Sequence, residues 1–150
     1  MKPSTLPLLL DSSVLVKWYH DEEDTPLALH LRDGHLHDQW EIRLADVSFY
    51  ELANALHYSE KYTSAAIVER VQALLVMEFR IYGFDLLALR TALDLCAEKG
   101  ISIYDAYLVA LAKRENLLFV TADDKLLRKL GTGEPTLALH KFAKPRGNEE

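Results

Sequence analysis

Two spacings of apolar residues alternate along this chain, one of adjacent positions and one of every third or fourth. Together they predict short strands interleaved with helices. Residues 6–10 form an almost unbroken apolar run closed by Asp11, the mark of a short strand buried on both faces. Ser12 and Ser13 then offer capping hydroxyls to a helical turn through Val14, Leu15 and Trp18. A charged break over 21–25 leads to Thr25-Pro26, which opens a second helix over 27–32. Residues 34–40 read as a loop and 42–45 as a weak strand. Helical stripes follow at Leu52, Ala55 and Leu56 within 48–61, and at Ile67, Val68, Val71, Leu74 and Leu75 from Ser64 onward. Phe79 and Ile81 alternate within 78–84 and predict a strand near Gly83. A long helix over 86–99 ends at Gly100, and another covers 103–115. An apolar strand at 117–120, a helix at 123–130 stopped by Gly131 and Gly133, and a last strand at 136–139 complete the pattern.

Strands that are apolar throughout and alternate with helices predict a three-layer α/β/α domain with a short, mainly parallel sheet of four to five strands. The domain is expected over 1–143, with 144–150 as a flexible C-terminal tail. A chain of 150 residues makes one domain of ordinary size, and 49% hydrophobic residues suffice for a core without disulfides. Cys96 is the one cysteine, which excludes a disulfide framework or a multi-cysteine metal site and fits a reducing cytosol. The apolar run at 6–10 is too short to span a membrane and no cleavage site follows it, so a cytoplasmic protein is expected.

The formal charge is 17 − 23 = −6. A domain that holds nucleic acid by bulk electrostatics is usually basic, so any handling of phosphate here requires a local reversal of the field, as a bound divalent cation provides.

The acids fall where such a cation would be needed. Ligand sites in open parallel sheets lie beyond the carboxyl ends of the strands. Asp11 closes the first strand, and Asp123 and Asp124 follow the 117–120 strand after a Thr121-Ala122 turn. Asp105 heads the stripe of Leu108, Val109 and Ala112, Asp123 heads that of Leu126, Leu127 and Leu130, and Glu51 adjoins Leu52 and Ala55. Taken singly, Asp11, Asp105 and Asp123 each fit a helix-capping role better than a chemical one, and only their convergence favours chemistry. Glu51, inside a helix, has no such role. Two carboxylates at ~4 Å repel by about 4 kcal/mol at an effective dielectric of ~20, so four together must share protons, pair with a base such as Lys17, or bind a cation. All-oxygen donors suit Mg²⁺ or Mn²⁺, and Mg²⁺ commonly engages phosphate.

Four blocks carry a resemblance: 8–15 (LLLDSSVL), 49–56 (FYELANAL), 104–112 (YDAYLVALA) and 118–126 (LFVTADDKL). Their order and spacing resemble the PIN-domain family, and VapC-type toxin ribonucleases in particular. The resemblance implies a parallel sheet between helices, a divalent-metal site of acids, and endonucleolytic cleavage of RNA in a toxin–antitoxin pair. By position it implies Asp11, Glu51, Asp105 and Asp123 as metal-binding and catalytic acids. Ser12, Ser13 and Thr121 resemble the family's orienting hydroxyls, with Asp124 as a possible partner of Asp123. A homodimer and a VapB-like antitoxin are the implied protein partners. Asp46 departs from the proline that relatives often carry before the second block's helix.

Other features have plainer readings. His30, His35 and His37 form a loose cluster expected to be solvated loop residues. Lys125, Arg128 and Lys129 form a basic helix face that is either solvated or an RNA contact. Trp18 and Tyr19 are aromatic candidates for stacking on bases, yet Trp18 shares its stripe with Leu15 and is expected in the core. Cys96 is expected to be buried and inert. Two further functions compete with the nuclease: a non-catalytic binding module of the same fold, and an aspartyl-phosphate enzyme or receiver with Asp11 as the acceptor. Hydrolases of the second kind usually carry another acid two positions on, where this chain has Ser13.

Overall fold

The computed structural model describes residues 6–142, so the tail expected from Lys144 lies outside the described residues. Its elements are β1 (Leu8–Leu10), α1 (Ser12–Val16), α2 (Thr25–Leu36), β2 (Ile42–Ala45), α3 (Asp46–Tyr58), α4 (Ser64–Val76) and β3 (Arg80–Tyr82). There follow α5 (Leu86–Lys99), α6 (Ile103–Glu115), β4 (Leu118–Thr121), α7 (Asp124–Leu130) and β5 (Thr136–Ala138). The five strands form one sheet in the order β3-β2-β1-β4-β5, every neighbouring pair parallel. Leu8 lies opposite both Ile42 and Leu118, and Leu10 opposite Val120. The strand order therefore reverses at β1, which opens a crevice beyond the carboxyl ends of β1 and β4.

The pleat of β1 divides the core. Leu8 and Leu10 face one layer, packed with Val14, Leu15, Leu31, Leu52, Leu56 and Leu74; Leu9 faces the other, with Phe119, Ala92, Leu108 and Leu126. Helices on both faces make the expected three layers. No described helix is long and apolar enough to cross a membrane.

Three local expectations are corrected. First, the segment read as a loop from Gly34 continues α2 to Leu36. Gly34 disfavours a helix by propensity, but its missing side chain lets the Trp40 indole lie on the helix, where Nε1 donates to the Leu31 carbonyl at 2.8 Å. Packing outweighs propensity. A Cβ at Gly34 would fall inside the indole ring, which Phe142 and His30 also hold in place. Gly34→Ala is therefore expected to lose about 1–3 kcal/mol of stability, read as a shift in the urea midpoint.

Second, β3 is not apolar: it contracts to Arg80–Tyr82, with Arg80 and Ile81 exposed, because it forms one edge of the sheet and packs on one side only. Third, helix starts move. With alanine at position 45 and aspartate at 46, α3 begins directly after β2, and Asp46 places a charge in its first turn, favourable to the dipole. Asp123 stands just outside α7 as its N-cap.

Candidate functional site

The crevice at the reversal is built from the last residue of β1 outward. Asp11 follows Leu10 and is tied to β4 by its backbone N–H, which donates to the Val120 carbonyl at 3.0 Å. Its side chain turns inward and is only 5% exposed. Oδ2 accepts two hydroxyls, Ser13 Oγ at 2.7 Å and Thr121 Oγ1 at 2.7 Å. These hydroxyls in turn order the following loop, Ser13 Oγ accepting from the Ala122 N–H at 3.0 Å and Thr121 Oγ1 from the Asp123 N–H at 3.1 Å. Ser13 and Thr121 thus clasp Asp11 from α1 and β4. Ser12 enters only through its backbone N–H, and neither serine caps α1; the capping expectation for them is corrected.

Replacing Thr121 by Val keeps shape and removes one bond to a buried carboxylate. We expect a loss of about 1–3 kcal/mol at neutral pH, measured by urea unfolding.

The other acids approach from three helices. Glu51 lies inside α3, and its Oε1 is buried with no hydrogen-bond partner. Burial pushes its carboxyl up to about 7, helped by the charges of Asp11 and Asp105. Asp105 lies in the first turn of α6, whose N-cap is Ser102, so capping does not account for it. Its carboxyl is raised by burial, then by Asp11 and Asp123, against the pull of Ser102 and Lys129. Asp11 is raised by burial, partly offset by its hydroxyl bonds, with Asp123 adding repulsion. Asp123 does cap α7, accepting the Leu126 N–H at 3.0 Å, so its structural role is real. Its neighbour Asp124 points elsewhere and pairs with His140 at 3.1 Å on the surface.

The four sequence-selected acids therefore share one electrostatic neighbourhood, and no base among the described residues forms an ion pair with them. Lys17 does not pair with them; its ammonium binds Glu22 at 3.2 Å and the Glu23 carbonyl at 2.7 Å. No three His, Cys, Asp or Glu among the described residues stand close enough to cage an ion directly. Mg²⁺ retains several waters and uses one or two carboxylates rather than an all-protein cage. The orphaned Glu51 Oε1 and the oxygen-only donor set fit a hydrated hard cation of that kind.

The remaining sequence-selected residues fall elsewhere. His30 and His35 are not solvated. His30 packs against Trp40 with ring centroids 5.3 Å apart, and His35 stacks on Phe79 at 4.5 Å. His35 Nδ1 accepts the Ile42 N–H, which makes Nε2 the donor to the Met77 carbonyl. His35 looks exposed in sequence because Gly34 hides the continuation of α2, whereas His30 already lies in the helix expected over 27–32. His37 is exposed and holds the Asp33 carbonyl. Trp18 is in the core, its Nε1 bonded to the Ala28 carbonyl, and Tyr19 donates to the Arg70 carbonyl. Cys96 is half-buried rather than buried. Lys125, Arg128 and Lys129 are exposed on α7. A groove lined by Ser13, Val16, Lys17, Glu22, Ala122, Asp123 and Asp124 adjoins the acids. Sequence reasoning missed Glu22, which carries no spacing signal because it lies in an irregular loop.

A wholly parallel sheet between helix layers, with carboxylates gathered beyond its central strands, defines the class. The chain belongs to the PIN domain family, whose model matches residues 8–131. No curated protein matches its sequence. Its fold is similar to that of PAE2754 from Pyrobaculum aerophilum (22% identity, TM-score 0.63, covering 90% of this chain and 85% of that one). It is also similar to a toxin–antitoxin complex from Klebsiella pneumoniae (16% identity, TM-score 0.64, covering 88% and 97%). A third similar structure is Mycobacterium tuberculosis VapC20, a sarcin–ricin-loop-cleaving toxin (12% identity, TM-score 0.62, covering 79% and 92%).

Proposed function

We propose that this protein is a divalent-metal-dependent endoribonuclease and the toxin of a toxin–antitoxin pair. The observation that carries the reading is the set of Asp11, Glu51 and Asp105. All three are raised by burial, Asp11 and Asp105 each raise Glu51, and among the described residues no lysine or arginine forms an ion pair with any of the three, Lys129 lowering Asp105 only without contact. A fold needs no such arrangement, and a cation relieves it. A bound Mg²⁺ or Mn²⁺ supplies a more acidic water and stabilises developing charge on phosphate oxygens.

The chain's own residues do the rest. Asp11, fixed by Ser13 and Thr121, presents its remaining oxygen in one orientation. Asp105 and Asp123 enter from α6 and the start of α7 as further donors. Glu51, with a buried oxygen free of hydrogen bonds, is suited to accept a proton from a water attacking the phosphodiester.

Support for RNA as substrate comes from the motif resemblance and from the VapC20 description. An antitoxin partner is supported by the Klebsiella complex. A homodimer is supported by the exposed Leu86, Leu87 and Leu93 of α5, beside exposed Arg90 and Asp94. Two copies of α5 packed about a two-fold axis would cover these leucines, and sedimentation tests this.

The aspartyl-phosphate alternative is disfavoured because Asp11 is buried with one oxygen doubly occupied. The test of the main reading is a melting titration with Mg²⁺ and Mn²⁺ alongside cleavage of total bacterial RNA with and without EDTA. A metal-dependent rise in melting temperature together with EDTA-sensitive cleavage is expected; the absence of both refutes it.

A further inference from the structure

The groove beside the acids holds a second feature. Of the residues lining it, Lys17 is the only cation, set among Glu22, Asp123 and Asp124. An anionic strand entering this groove on a chain of net charge −6 meets repulsion from every other charged residue of its wall. Lys17 sits where the first helix ends, so its position relative to Asp11 is set by α1 and not by a loose loop.

The two partners of Lys17 differ. The Glu23 carbonyl, at 2.7 Å, is backbone and stays. The Glu22 carboxylate, at 3.2 Å, belongs to a side chain 44% exposed, whereas the lysine side chain is 12% exposed. The ammonium is thus seated in the wall while its acidic partner is free to swing into solvent. Exposed pairs of this kind are weak. A carboxylate and a phosphodiester also offer an ammonium the same thing, an anionic oxygen.

We propose that Lys17 is the substrate-positioning residue of the groove: it holds a backbone phosphate of the RNA, and Glu22 occupies that place until RNA displaces it. The inference rests on the nuclease reading above. The Glu23 carbonyl keeps the ammonium aimed during the exchange, because lysine has three donors and the exchange frees one. The pair then acts as a selectivity device, admitting strands whose phosphate competes with an internal carboxylate.

The test is binding of a labelled random-sequence oligoribonucleotide in Mg²⁺, on an Asp105→Asn background that keeps the probe intact. Lys17→Met is expected to weaken binding about 10-fold, the scale of one charge-assisted hydrogen bond. It should also lower the slope of log affinity against log salt by ~0.7, the value for one phosphate on a single strand. Glu22→Gln is expected to act oppositely, tightening binding about 3-fold by releasing the ammonium. Urea midpoints and the Mg²⁺ melting shift of each variant, with Asp105 intact, check that the fold and the acid site survive.

Unchanged affinity in Lys17→Met, or weakening in both variants alike, overturns the proposal, since a merely structural pair gives the same sign twice. A wild-type protein that shows neither a Mg²⁺ shift nor cleavage refutes the nuclease reading itself and takes this inference with it.

Discussion

Asp11→Asn should lower RNA cleavage by at least ~10²-fold while the protein remains folded. The two sides of that expectation have one cause. Asp11 is the most enclosed of the acids and the one both hydroxyls grip, so its loss removes the donor whose orientation is best defined. Asparagine keeps the shape and one carbonyl oxygen able to accept the Ser13 and Thr121 hydroxyls. It also removes a buried charge that raises Glu51 and Asp105. The metal-free variant is therefore expected to unfold at equal or higher urea than wild type, and its melting temperature should no longer respond to Mg²⁺. Full cleavage by Asp11→Asn, measured on purified protein, refutes a catalytic role for this carboxylate.

The second large effect is on stability against pH. Glu51 titrates from 4.5 unfolded to about 7 folded. A carboxyl raised on folding stabilises the native state below its unfolded value, and that contribution disappears as pH climbs through the folded value. Without metal, stability should accordingly fall between about pH 4.5 and 7, with Asp11 and Asp105 adding in the same direction. The unscreened ceiling for Glu51 is about 3 kcal/mol; since the residue keeps partial contact with water, about 1 kcal/mol is expected.

Glu51→Gln should remove the share of that fall owed to Glu51, so the metal-free variant is the more stable protein at pH 8. With Mg²⁺ at ~100 times its dissociation constant the wild type gains about 2.7 kcal/mol and the order reverses. Urea titrations at pH 5 and pH 8, with Mg²⁺ and with EDTA, give the four numbers needed. Equal wild-type stability at both pH values in EDTA would contradict the charge crowding at this site.

Much of this arrangement was legible in the residues, for identifiable reasons. β1 and β4 announce themselves because strands covered on both faces are apolar, and Asp11 and Thr121 stand out as the buried polar residues at their carboxyl ends. Glu51 and Asp105 stand out because a carboxylate on an inward stripe is costly. What misled was local chemistry overruled by packing. Gly34 reads as punctuation, yet serves as the seat of Trp40 within a helix; His35 moves with it from an expected loop into aromatic contact, and His30 packs on the same indole. β3 escaped the apolar rule because an edge is covered on one side only. Ser12 and Ser13 cannot be told apart by sequence, since the direction of α1 decides which hydroxyl meets Asp11. Nor does spacing reveal that Asp123 both caps α7 and faces the other acids.

The hydrogen bond between Thr121 and Asp11 spans 110 positions of the chain. On the ribosome, where residues are added at about 5–20 per second, β1 emerges early and waits many seconds for β4 to lie beside it. A nascent chain holds Asp11, Glu51 and Asp105 well before it holds the strand that brings them to one place. The acid site is thus complete only once synthesis has passed Thr121, and a chain cut short before β4 holds three of the acids without the strand that orients Asp11.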